Sequence, residues 1–335
     1  MLQNRMKINL SEYGSLEEKS SCFLQSDKYV NNCINEFDEF DKWFSYWEGV
    51  NERRKYKAYF RGMGEAKHKL FNSAQRLWLN YEMQDWKRQA PQLLYSDFIM
   101  KMIEEALGAK TLLANVFELY GIKDAHKGFP CLSILQHYGS PTPLLDWTYN
   151  FRVALFFATE YSTVPSLKID NDLEDYFSIY VITEETYRVS EIEDRESVLS
   201  CFPDPGEPPR PGHLFMLTDI KRGNDGMYDS NDPFKKVLMA TIYNQNIIPQ
   251  EGLFIFNPHA EFPMEHLFNS ELIGALPLNE ESVPNSSFMV YNIHKRLGEY
   301  VKRKIAMQGF TKDYIMPDLR DYSKRIKEKV LNGLV

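Results

Sequence analysis

The sequence predicts an α+β fold, a mostly antiparallel mixed sheet wrapped by helices. Two observations carry this. Short alternating or apolar runs, Tyr56–Phe60, Phe177–Thr183, Leu253–Phe256 and Phe288–Ile293, read as strands. Between them lie amphipathic helical stretches of uneven length, without the regular strand–helix–strand alternation that builds a parallel sheet.

The elements follow in order. Val30, Ile34, Phe37, Phe40, Phe44 and Trp47 recur at gaps of three and four, which predicts a helix over 30–48 with Gly49 as its stop. A cationic turn at 51–55 leads into the strand Tyr56–Phe60, closed by Arg61-Gly62, with Met63-Gly64 as a second flexible point. Residues 65–90 are polar and basic and read as a strand or loop followed by a helix. Helices are predicted over Pro91–Leu107 and Thr111–Tyr120, then a loop with His126 between Gly121 and Gly128. Cys131–Gly139 reads as helical. Pro141 and Pro143 force an extended turn, after which Thr148 or Asn150 caps a buried helix carrying Val153, Ala154, Phe157 and Ala158. The order there is helix, tight loop, buried helix. Glu184–Ser200 reads as helical, Cys201–Gly212 as a proline-rich loop, His213–Thr218 as a short strand and 219–234 as irregular. Helices over Lys295–Gln308 and Asp318–Leu331 close the chain. The expected division is an N-terminal helical segment, 1–50, packed on a domain spanning 51–335.

Composition narrows the function classes. The chain has 335 residues, 43% of them apolar, enough for a sizeable core. A net charge of -8 disfavours general nucleic-acid binding, and no clustered carboxylates suggest a nuclease. Cys22, Cys33, Cys131 and Cys201 form no CxxC pair and fit no zinc spacing. No apolar leader opens the chain and no run is long enough to span a bilayer, so the expectation is a cytoplasmic protein that does not engage membranes.

Three constellations carry chemistry. Arg61, at a strand end between Phe60 and Gly62, offers a planar cationic fork for phosphate or carboxylate, or pairs with a buried Asp. Gln136, His137, Tyr138 and Gly139, with Asp146, Trp147 and Thr148, set polar groups and aromatics beside a rigid turn. There His137 can act as a general base near neutral pH. Asp146 either orients it, binds a ribose hydroxyl, sits at a helix start, or partners Arg61; Trp147 is a core or pocket wall. Gln250-Glu251, ahead of Gly252-Leu253-Phe254, can hydrogen-bond a sugar and stabilise developing positive charge, or form a solvated turn. His259 and His266 bracket Glu261 and Glu265, but the spacing matches no metalloprotease motif, so no metal site is expected.

These residues also carry a resemblance. Tyr59-Phe60-Arg61-Gly62, the run from Gln136 to Thr148 with Ala154–Ala158, the Gln250–Phe254 element, and Gln308-Gly309 with Met316–Leu319 resemble, in order, the signatures of the FRG-domain family. Pro143 stands where that family usually has Arg, Met63 where it often has Gln, and Asn246 where an Arg commonly precedes Gln-x-Gly-x-Phe. The resemblance implies an α+β domain associated with bacterial accessory and phage-defence genes. A looser similarity to ADP-ribosyltransferases sets Arg61, Thr148 and Glu251 in the order of that group's Arg, Ser/Thr and Glu positions. It implies an NAD-using transferase or glycohydrolase, with NAD as substrate rather than resident cofactor. Glu251 and His137 would be catalytic; Arg61, Gly62, Gln136, Tyr138, Asp146, Trp147, Thr148 and Gln250 would hold the ligand. The alternative is a non-catalytic module that uses the same cleft to sense a nucleotide-like molecule or a protein partner.

Overall fold

A computed structural model describes residues 12–23, 32–53, 58–80, 83, 87–108, 111–119, 128–162, 173–183, 190–191, 197–204, 206–207, 209–210, 213–217, 247–268, 288–318, 323–324 and 326–330. The expected helix at 184–200 lies mostly outside these residues, and where it is described it is corrected: Ser190–Glu191 is a strand and Val198–Cys201 a short 3-10 turn. His126, the 219–234 stretch, Asn246 and Leu319 lie wholly outside them.

The fold is α+β. The strands are β1 (Cys33–Ile34), β2 (Ala58–Met63), β3 (Leu144–Thr148), β4 (Tyr176–Thr183), β5 (Ser190–Glu191), β6 (Phe215–Leu217), β7 (Gly252–Phe256) and β8 (Phe288–His294). They form one mixed sheet in the order β1-β8-β4-β2-β3-β7-β6-β5. The β1–β8 and β5–β6 pairs are parallel and the others antiparallel. β4 is buried along its length up to Ile182, so it shows no alternation of apolar and polar residues.

The helices are α1 (Leu16–Ser21), α2 (Phe37–Arg53), α3 (Ser73–Trp78), α4 (Tyr95–Ala106), α5 (Leu112–Leu119), α6 (Gly128–His137), α7 (Phe151–Glu160), α8 (Gly298–Met307) and α9 (Lys312–Ile315). One face of the sheet packs Phe60, Phe177, Ile179, Val181 and Ile293 against α2, α7 and α8. Further along that face, Leu144, Phe215, Phe254 and Phe256 meet α3, α4 and α6. The opposite face packs Tyr59, Trp147, Tyr180, Leu253 and Ile255 against the N-terminal Tyr13, Leu16 and Phe23 and against Met264 and Leu267. Lys19 of α1 enters this layer fully buried. Its ammonium donates to the Ala66 carbonyl and the Ser178 hydroxyl, both at 2.7 Å. Burial lowers its pKa to about 7.

Three sequence expectations need correction. The helix expected over 30–48 begins only at Phe37, because Cys33 and Ile34 pair with Asn292 and Ile293 as a strand. The Glu39 carboxylate then accepts from the amides of Asn35 and Glu36 at 3.0 and 3.1 Å, which settles the helix start. Gly49 does not end this helix, which continues to Arg53. Leu144–Thr148 is a strand between β2 and β7 rather than part of a loop, so the local order is helix, loop, strand, helix.

The strand β2 also runs on through Arg61 and Gly62 to Met63. Gly62 lies hard against α7. A Cβ there would sit 1.8 Å from the Ala154 carbonyl oxygen, and one on Gly64 would sit 2.3 Å from that of Tyr161. Helix α7, buried at Phe151, Val153, Ala154, Leu155, Phe156, Ala158 and Thr159, can approach the sheet this closely only over a strand without side chains at those points.

Candidate functional site

Phe60, Arg61 and Gly62 do three different jobs. Phe60 points into the helical side, 5.3 Å ring to ring from Trp47 and 6.1 Å from Phe151. Gly62 admits α7. Arg61, between them, turns into the space where β2 and β3 part. Those strands pair at Phe60 with Thr148, while β3 continues its pairing on β7, with Asp146 opposite Phe254. The Arg61 Nη1 donates to the Asp146 backbone carbonyl, and the Asp146 carboxylate lies 3.7 Å from the same nitrogen. The Arg61 side chain is 17% exposed and that of Asp146 60%. Burial lowers the Arg61 pKa while Asp146 raises it; the residue stays cationic at neutral pH. The Arg61 Nε is buried without a hydrogen-bond partner among the described residues.

A chain of side chains fixes the carboxylate. Gln136, in the last turn of α6, donates from Nε2 to the Asp146 Oδ2 at 2.9 Å and accepts at Oε1 from the Thr142 hydroxyl. Thr142, fully buried, is held at the start of α3: its amide donates to the Ser73 hydroxyl at 2.9 Å and its carbonyl accepts from the Ala74 amide at 3.1 Å. The turn made by Pro141 and Pro143 thus presents Thr142 to Gln136, and Gln136 to Asp146.

Three further groups stand on the elements that carry this chain. His137 follows Gln136, and burial lowers its pKa with Asp146 opposing, which keeps the ring neutral near pH 7 and able to accept a proton. Tyr138 is 70% exposed, its ring 5.0 Å from that of His137. Arg76 lies one turn beyond Ser73 on α3 and so shares its face. Its pKa is lowered by burial and then by the Arg61 charge, with Asp146 opposing.

The remaining predicted residues are placed apart. Trp147 is 3% exposed and packs in the core, 6.0 Å from Phe288, so it is a core wall rather than a stacking surface. Thr148 donates to the Gln250 carbonyl at 2.6 Å, and Gln250 donates to the Ile315 carbonyl at 3.1 Å. Glu251 has φ 45, a left-handed conformation uncommon for a residue with a side chain. Its carboxylate accepts from Asn150, the N-cap of α7, at 3.0 Å. Thr148 pairs with both Phe60 and Gly252, so Arg61 and Thr148 lie on adjacent strands and Glu251 is the turn residue just ahead of the next strand, β7. Strand spacing and rise put the Arg61 and Glu251 backbones roughly 12 Å apart.

The histidine and glutamate run at 259–266 does not converge. The His259 ring meets that of His213 at 2.9 Å, while the buried Glu265 accepts from the Tyr13 hydroxyl and the Leu70 amide. No group of three or more metal-binding side chains forms among the described residues. Sequence reasoning missed Arg76, Thr142 as an anchor, and Ser73. The one available signal was Asn72 followed three residues later by Gln75, whose reciprocal bonds form a capping box that starts α3.

No helix among the described residues is long and apolar enough to cross a membrane. No curated protein and no solved structure matches the chain. A family comparison does match, over residues 56–166, which run from the start of β2 past the end of α7 and include Arg61, Arg76, Gln136, Thr142 and Asp146. Residues 56–166, about a third of the chain, therefore match the FRG domain, and the residues that build the site lie within that match.

Proposed function

We propose that this FRG domain binds a nucleotide-like ligand at Arg61 and Asp146 and acts on NAD as an ADP-ribosyltransferase-like enzyme or NAD glycohydrolase. The carrying observation is the placement of Arg61 and Thr148 on the adjacent strands β2 and β3 and of Glu251 in the turn that enters β7, with Asp146 on the middle strand held by Gln136. An extended dinucleotide is long enough to reach from Arg61 to Glu251. Arg61 takes a phosphate, the exposed Asp146 accepts from a ribose hydroxyl, and the His137–Tyr138 pair offers a ring surface in place of the buried Trp147. Breaking the nicotinamide–ribose bond builds positive charge on the sugar. The Glu251 carboxylate, held by Asn150 in its uncommon backbone conformation, supplies the opposing charge. His137, kept neutral, accepts the proton of the attacking hydroxyl or water. Bacterial phage defence is the setting we propose for this activity.

A second reading has its own support. The Arg61 Nη1 is already engaged by the Asp146 carbonyl, and Glu251 is separated from that pair by several positions. That arrangement suits a module that binds a nucleotide and signals to a protein partner without turnover. Titration of ADP-ribose into the wild-type chain and into Arg61→Ala tests the shared core of both readings. Saturable binding that Arg61→Ala removes supports it. Binding that Arg61→Ala leaves unchanged, or none at all, overturns it.

A further inference from the structure

We propose that Arg76 and Arg61 together form a two-guanidinium seat for a diphosphate, so that the site selects nucleotides carrying two linked phosphates over those carrying one. The inference rests on the nucleotide-binding reading above and adds to it the residue and the ligand class. Its starting point is that α3 is tied to the Arg61 site by a route independent of charge. Ser73 and Ala74 hold Thr142, which holds Gln136, which holds Asp146. Arg76 stands one turn after Ser73 on the same face of that helix, and its guanidinium folds back to the Phe71 carbonyl at the helix start that Thr142 also meets.

The charges around it do not cancel. Arg61 and Arg76 contribute two cations. Asp146 contributes one anion, and Gln136 is neutral. Arg76 donates to the Phe71 carbonyl, and no carboxylate pairs with it among the described residues. A residual positive charge thus sits on a chain whose net charge is -8. Arg61 commits one Nη to the Asp146 carbonyl and keeps its Nε buried. Two planar guanidinium forks match linked phosphates, each fork taking one phosphate.

Calorimetric titration of the full chain with inorganic pyrophosphate and with orthophosphate tests this, using wild type, Arg76→Ala, Arg76→Glu and Arg61→Ala. Alanine is the better helix former at this position of α3, so the Arg76→Ala variant keeps its fold, checked by circular dichroism. Wild type is expected to prefer pyrophosphate by about tenfold or more, and Arg76→Ala to erase that preference while orthophosphate still binds. Arg76→Glu is expected to weaken pyrophosphate further. Equal affinity for the two anions in wild type overturns the proposal, as does a preference that survives Arg76→Ala. Parallel titration with ADP-ribose separates this failure from that of the underlying reading. If ADP-ribose binding depends on Arg61 but not on Arg76, the nucleotide site stands and the diphosphate seat falls; if it depends on neither, both fall.

Discussion

Gln136 Nε2 donates to Asp146 Oδ2 at 2.9 Å while its Oε1 accepts from the buried Thr142 hydroxyl, so one amide side chain both orients the exposed carboxylate and ties it to the start of α3. Removing it separates two effects. Gln136→Ala leaves the Thr142 hydroxyl, at a fully buried residue, without this acceptor and lets the Asp146 carboxylate swing. The expected cost is about 1–3 kcal/mol in urea unfolding, together with weaker ADP-ribose binding. Gln136→Glu keeps an acceptor for Thr142 but sets a second carboxylate against Asp146. It should bind more weakly than its stability loss accounts for. Unchanged binding in both variants would show that Asp146 needs no orientation.

Gly62 makes the contact with α7 possible, and the size of that effect is predictable. Gly62→Ala places a Cβ 1.8 Å from the Ala154 carbonyl oxygen, a backbone atom that cannot swing away. The expected destabilisation is about 3 kcal/mol or more, because helix and strand must separate. Gly298→Ala is the internal control. Nothing lies within 4 Å of a Cβ there, its backbone is helical, and the change should stabilise by about 0.5 kcal/mol. Chemical denaturation of the two variants side by side makes the comparison.

Much of this was legible along the chain, for identifiable reasons. The helix α7 and the strands β4 and β8 announce themselves because each buries a nearly continuous apolar run. The Arg61–Asp146 contact follows from reading both as partners. Less legible was the strand Leu144–Thr148. It follows two prolines, leads straight into a helix, and owes its extended form to β2 and β7 from distant parts of the chain. Arg76 sits in a polar stretch whose face toward the site is set by the Ser73–Thr142 contact, which no local pattern records. Trp147 reads equally as pocket or core, and only its register opposite Leu253 places it in the core.

Glu251 combines a left-handed backbone with a carboxylate bonded to Asn150. Glu251→Gln keeps an oxygen that accepts from Asn150 and should unfold within about 0.5 kcal/mol of wild type. If the carboxylate stabilises sugar cation, the same change should lower turnover by on the order of a hundredfold or more. Glu251→Gly relieves the backbone but loses both the bond and the charge, so it should be stable and inactive. Turnover retained in Glu251→Gln would move the catalytic charge elsewhere.

The His213–His259 pair predicts a pH dependence. Burial, then the His213 charge, lowers the His259 pKa to about 4 from the ordinary 6.5. The unfolded chain therefore takes up a proton below pH 6.5 that the folded chain refuses until about pH 4. Stability is fully present above pH 6.5 and falls between those values, by roughly 3 kcal/mol at most for this ring. His259→Asn should flatten that part of the stability profile relative to wild type. Thermal melts of both proteins from pH 7 to pH 4 read the difference directly, and parallel profiles would contradict it.

The central claim is that Arg61 and Glu251 serve one NAD-cleaving site. The direct measurement is nicotinamide release from NAD by the full chain, with Arg61→Ala and Glu251→Gln beside it. Release by wild type is predicted, lost chiefly through weaker NAD binding in Arg61→Ala and through slower turnover in Glu251→Gln. Binding of NAD with no release by wild type, or release that neither substitution alters, contradicts the account.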